Sequence, residues 1–155
     1  MEQHAGEDKQ DNPLGRLRRE MESSPYHQLL GLEAVSSAID SVTLCLPMRP
    51  EFRRAEDDSF VHGGIIAALI DITGHAAVAM QIDRMAPTID LRIDYLRPAG
   101  GSHLTATATL LRCGRSVARV DIEVLDSEGD IVAVGRGSFS TLEPQQRLGQ
   151  YSSSS

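Results

Sequence analysis

Polar side chains set in an otherwise apolar stretch are where chemistry is to be sought, and residues 60–80 of this chain form such a stretch, FVHGGIIAALIDITGHAAVAM. A His62-Gly63-Gly64 turn leads into sixteen residues, 65–80, that read as one nearly all-apolar helix. Apolar residues recur as Ile65, Leu69, Ile72, Ala76 and Ala79 and again as Ile66, Ile70, Ala77 and Met80, so two helical stripes leave almost no wet face. Asp71, Thr73 and His75 are the polar exceptions, and a buried carboxylate needs either a partner or a task. Asp71 and His75 are four residues apart and share a face, so a structural pair between them is one reading. A catalytic Asp71 is the other.

Such a helix must be wrapped. A membrane is the wrong container, because sixteen residues fall short of the roughly 20 needed to span and a central Asp costs about 2.5–3.5 kcal/mol. The remaining segments supply a sheet instead. Residues 30–48 alternate loosely and read as two short strands or a hairpin, ended by Pro47 and Pro50. Residues 49–59 are a charged, irregular loop leading into the His-Gly-Gly turn. After the helix come four alternating stretches, 88–96, 104–111, 117–125 and 131–140, each bounded by a turn signal, which read as a meander of consecutive antiparallel strands. In the first of these, Ile89, Leu91, Ile93 and Tyr95 are expected on one face and Thr88, Asp90, Arg92 and Asp94 on the other. Residues 13–21 form a short amphipathic helix opened by Pro13, which caps the core through Leu14, Leu17 and Met21. The expected architecture is α+β, one curved antiparallel sheet around one long helix. Too few helices intervene between strands for a doubly wound fold.

The chain has 155 residues, enough for one domain with its own core, assigned here to residues 13–142. The polar arm 1–12 and the serine-ended tail 143–155 are expected to be disordered. With 4% aromatic residues, no Trp and a net charge of −7, the composition argues against a nucleic-acid partner. Cys45 and Cys113 lack CxxC spacing and no charged-then-apolar signal opens the chain, so both are expected to be buried, reduced thiols in a cytoplasmic protein. The five histidines show no metal-binding spacing, and no metal is expected.

The order His62-Gly63-Gly64, then Asp71 nine residues after the histidine, resembles the hotdog-fold acyl-CoA thioesterases of the phenylacetate-pathway and 4-hydroxybenzoyl-CoA type. The resemblance covers about residues 30–142 and includes Asp94-Tyr95-Leu96-Arg97-Pro98-Ala99 and Leu111-Arg112-Cys113-Gly114-Arg115-Ser116. It implies hydrolysis of an acyl-CoA substrate to a carboxylate and free coenzyme A, with no cofactor, by a homodimer or a homotetramer built from it. Asp71 would act as general base on water or attack the carbonyl itself. The backbone N–H of Gly63 or Gly64, at the positive end of the helix, would hold the thioester oxygen, and glycine leaves room for the acyl group.

The resemblance gives Thr88 the role of orienting the water. His62 could hydrogen-bond near the carbonyl or simply cap the turn, and His75 packs or partners Asp71. Arg112 and Arg115 would hold the coenzyme A phosphates, for which guanidinium groups are suited. One departure stands out: where the resembling enzymes often carry Asn or Gln about six residues before the histidine, an ungapped comparison puts Glu56, which cannot donate that hydrogen bond when ionised. A non-catalytic acyl-CoA-binding module on the same fold is the alternative, and the acid at Asp71 argues against it.

Overall fold

A computed structural model describes residues 12–145. The expected disordered arm, apart from Asn12, and residues 146–155 of the tail lie outside them. Helix α1 (Pro13–Ser23) opens with Pro13 and is capped by Asn12, whose side chain accepts the Gly15 N–H at 2.7 Å. Leu17 and Met21 bury its apolar stripe, as the spacing predicts. Pro25 forces Ser24 into an extended conformation, which ends α1 and starts the six-residue α2 (Pro25–Leu30), a helix not anticipated from the sequence. Gly31, with φ 72°, closes α2 in the left-handed conformation that glycine adopts without strain.

Strands β1 (Glu33–Ser37) and β2 (Ser41–Pro47) form the expected hairpin. A short 3-10 helix, Pro50–Phe52, interrupts the charged loop before α3 (Gly63–Ile82). At twenty residues, α3 is longer than the stretch expected, so its length alone does not keep it out of a membrane. The sheet wraps it, and Ile66, Leu69, Ile70, Ile72, Ala76 and Val78 are buried. The periodicity overestimated that wrapping, because Ala67, Ala68, Asp71, His75 and Ala79 remain partly uncovered along one face.

Four strands follow: β3 (Thr88–Tyr95), β4 (His103–Cys113), β5 (Val117–Asp126) and β6 (Ile131–Ser140). They do not form a meander of four. The sheet order is β1-β2-β4-β5-β6-β3, so β4, β5 and β6 are consecutive neighbours while β3 lies beyond β6 at the far edge. The segment after β3 is a crossover rather than a hairpin turn. It carries a buried Ala99 whose carbonyl accepts the Val61 N–H at 2.8 Å, and Ser102 accepts the Met48 N–H at 2.9 Å, which ties the crossover to the loop before α3 and to the end of β2. Alternation identifies strands; it does not identify their neighbours.

Helix and sheet meet closely. A Cβ on Gly74 of α3 would lie 2.8 Å from the Phe139 ring, and one on Gly135 of β6 would lie 2.6 Å from Ile70. Glycine at these places lets Phe139 and Ile70 sink into the opposing layer, and the space under α3 is filled by Phe139, Ile70, Ile122 and Val120.

Candidate active site

The start of α3 is fixed from two sides. His62 is the N-cap, and its Nδ1 accepts the Gly64 N–H at 2.9 Å. On the other side, Tyr95 at the end of β3 donates its hydroxyl to the Gly63 carbonyl at 2.8 Å, and its ring lies where a Gly63 Cβ would approach within 3.3 Å. Of the two backbone donors expected to face a substrate carbonyl, Gly64's is therefore committed to the cap. The Gly63 N–H is the first of the helix's orphan donors, for which the helical ladder supplies no acceptor. Tyr95 was missed as a site residue. Its signal was its place on the inward-facing parity of β3, next to Leu96-Arg97-Pro98-Ala99.

Two turns further along, the partly buried Asp71 carboxylate accepts the Thr88 hydroxyl at 2.7 Å. Alternation had put Thr88 on the opposite face from Ile89, Leu91, Ile93 and Tyr95. A β-bulge between Thr88 and Asp90 reverses this: Thr88 pairs with Phe139 and Asp90 with Ser138, leaving Ile89 as the extra residue. Thr88 thereby joins Leu91, Ile93 and Tyr95 on the helix side.

His75 packs rather than hydrogen-bonding Asp71, whose carboxylate acts on the imidazole only through its charge. Its Nε2 accepts the Ala86 N–H at 3.3 Å, and its Nδ1 lies 3.9 Å from the Glu20 carboxylate of α1. Burial pushes the imidazole below its ordinary pKa, with Glu20 acting in the opposite sense. Thr73, buried, donates to the Leu69 carbonyl at 2.6 Å within α3.

Arg112 and Arg115 are exposed around the β4–β5 turn. Thr88, Phe139, Ala118 and Cys113 stand in one row across the sheet, so the turn is at the same end as Thr88 but three strands away, roughly 14 Å at about 4.8 Å per strand. Arg112 is directly opposite Arg119, a like-charge pairing that favours an anion nearby. Glu56 is exposed in the loop before α3 and borders a depression of about 570 Å³ together with Arg53, Asp58 and Ser102, but none of the other candidates.

Neither cysteine is fully buried, contrary to expectation: Cys45 is half-buried and Cys113 exposed, and both are free. Burial and then Glu33 raise the pKa of Cys45. Asp126, Glu128 and Asp130 bring carboxylates within 4.8 Å of one another at the β5–β6 turn. Asp126 there accepts the backbone N–H groups of Glu128 and Asp130, each at 3.0 Å, which is how such a turn is closed.

Comparison with known proteins agrees with this architecture. The sequence profile of the thioesterase superfamily matches residues 58–133, a span that contains the Gly63 turn, Asp71 and Thr88. The medium/long-chain acyl-CoA thioesterase YigI of Escherichia coli K12 is 30% identical over 131 residues, covering 74% of this chain and 84% of that protein. A Shewanella oneidensis protein described as related to the thioesterase superfamily superposes with a TM-score of 0.74 at 28% identity, over 88% of this chain and 99% of that one. The PaaI protein of the Escherichia coli phenylacetic acid degradation operon shares the fold, with a TM-score of 0.73 at 23% identity over 84% and 97%. With a hotdog sheet wrapped around α3 and these relatives, the chain belongs to the thioesterase superfamily and is a thioester hydrolase.

Proposed function

We propose that the substrate is an acyl-CoA and that Asp71 is the catalytic acid–base group or nucleophile. The observation that carries this reading is the 2.7 Å hydrogen bond from Thr88 to Asp71 on the partly uncovered face of α3. The bond holds one carboxylate oxygen, and among the described residues no other hydrogen bond reaches Asp71. The second oxygen is thus available to a water molecule or to the thioester carbon. In the water route, Asp71 takes the proton as the water oxygen bonds to the carbonyl carbon. The C–S bond then breaks, and the departing sulfur takes up a proton to leave as free thiol. In the direct route, an Asp71 oxygen bonds to the carbonyl carbon as the C–S bond breaks and the sulfur leaves and takes up a proton. Water then hydrolyses the resulting anhydride to the free acid and Asp71. In both, negative charge grows on the carbonyl oxygen and is met by the Gly63 N–H at the helix start, with His62 holding the turn. Arg112 and Arg115 engage the coenzyme phosphates.

The filled space under α3 supports an acyl site outside the single-chain core, and the geometry of α3 supports a site shared between two chains. Gly63 and Asp71 are eight residues apart, about 12 Å along the axis at 1.5 Å per residue, too far for one thioester carbon to touch both. Two copies of α3 packed antiparallel bring the Gly end of one beside the Asp of the other. Edge strand β3 supports the same dimer, since Ile89, Tyr95 and Leu96 on and beside it are each more than half exposed. The free thiols fit a reducing, cytoplasmic setting.

The test is thiol release from a panel of aryl, short-chain and long-chain acyl-CoAs. Asp71→Asn, nearly isosteric, is expected to lower kcat on the best substrate by about a hundredfold or more, and Thr88→Val by about tenfold. A folded Asp71→Asn protein that hydrolyses at the wild-type rate sinks the assignment, whereas binding of acyl-CoA without turnover by the wild type returns the binding-module alternative.

A further inference from the structure

We propose that Tyr95 is a positioning residue that locks the carbonyl-polarising start of α3, an inference that rests on the role given above to Gly63. Two consecutive glycines are the most mobile backbone a chain can offer, and a donor must be held still to stabilise charge that develops only in the transition state. His62 fixes one side of the Gly63–Gly64 peptide by accepting its N–H at 2.9 Å. Tyr95 fixes the other side by donating to its carbonyl at 2.8 Å. Both ends of one peptide plane are therefore bound by side chains from different elements, the preceding loop and β3.

The phenol bond is surplus to what folding requires. As a first-turn residue, Gly63 has a carbonyl that already serves the helical ladder, accepting from the N–H four residues on. Tyr95 is itself 53% exposed, so water could satisfy its hydroxyl. What the phenol adds is orientation: with the Gly63–Gly64 peptide held at both ends, Gly63 is fixed in the rotation that aims its own N–H, in the preceding peptide, at the substrate oxygen. The ring contributes as well. Its carbons lie 3.3 and 3.4 Å from where a Gly63 Cβ would stand, so the ring backs this glycine closely.

The experiment compares wild type, Tyr95→Phe, Gly63→Ala, the double variant of these two and Asp71→Asn for kcat and KM on the best acyl-CoA, and records the 15N–1H resonance of Gly64 in wild type and Tyr95→Phe. Tyr95→Phe keeps the ring and loses the hydrogen bond. Its kcat is expected to fall about five- to tenfold with KM within twofold, as for an interaction felt in the transition state. The Gly64 amide resonance, in the peptide that loses its donor, is expected to move. Gly63→Ala, whose methyl group presses on the ring and shifts the phenol, is expected to lose kcat likewise, and the double variant to lose little more than the worse single one. A wild-type kcat in Tyr95→Phe, an effect confined to KM, fully additive losses or an unmoved Gly64 resonance overturns the proposal. If Asp71→Asn alone is fully active, the catalytic reading fails, and the Gly64 resonance still decides whether Tyr95 acts on this peptide.

Discussion

A carboxylate in an apolar helix was legible from residue types alone, because the cost of burying it leaves few reasons for its presence. Helical spacing alone offers His75 as its partner and says nothing of what arrives from a strand; Thr88, which does bond it, was offered only by the resemblance. The arginines pose a related question. Arg112 and Arg115 are solvent-facing, and among the described residues neither side chain has a hydrogen bond or ion pair, as befits groups waiting for an anion. Replacing both with Ala is expected to raise KM for acyl-CoA about tenfold. A truncated thioester lacking the nucleotide should be hydrolysed as before, and equal losses on both substrates would remove the assigned role.

Elements were read well where period two or period 3.6 runs uninterrupted, and poorly where one residue or one proline shifts the phase. β2 and β5 alternate cleanly. α2 is too short for periodicity to show it, and the bulge at Ile89 inverts Thr88 without changing composition. Close approach between elements is a second property hidden from pattern reading. Gly74 resembles any helix-weakening glycine until Phe139 is placed 2.8 Å from its missing Cβ. Gly74→Val is expected to destabilise the fold by about 1–3 kcal/mol through overpacking, and a second change, Phe139→Leu, should recover part of the loss. Urea unfolding of the three proteins checks this; an unaffected midpoint in Gly74→Val would mean the helix can shift away from β6 at little cost.

At the level of the whole molecule, the distance between Gly63 and Asp71 makes a prediction about assembly. Asp71→Ala and Gly64→Val chains, inactive separately, are co-expressed. Random pairing makes about half the dimers mixed, each with one intact site of two, so activity should return to roughly a quarter of wild type. No recovery, with mixed dimers proven by mass spectrometry and both variants folded, would confine the site to one chain. The sheet order gives this assembly a mechanical side. β3 carries Thr88 at its first residue and Tyr95 at its last, one bound to Asp71 and the other to Gly63, and it is also one of the sheet's two edges. In the proposed site, whatever grips that edge would take hold of both ends of the chemistry at once and join pairing to turnover through a single eight-residue strand. The proposed dimer thus makes the concentration of the protein itself an input to the alignment of its catalytic groups.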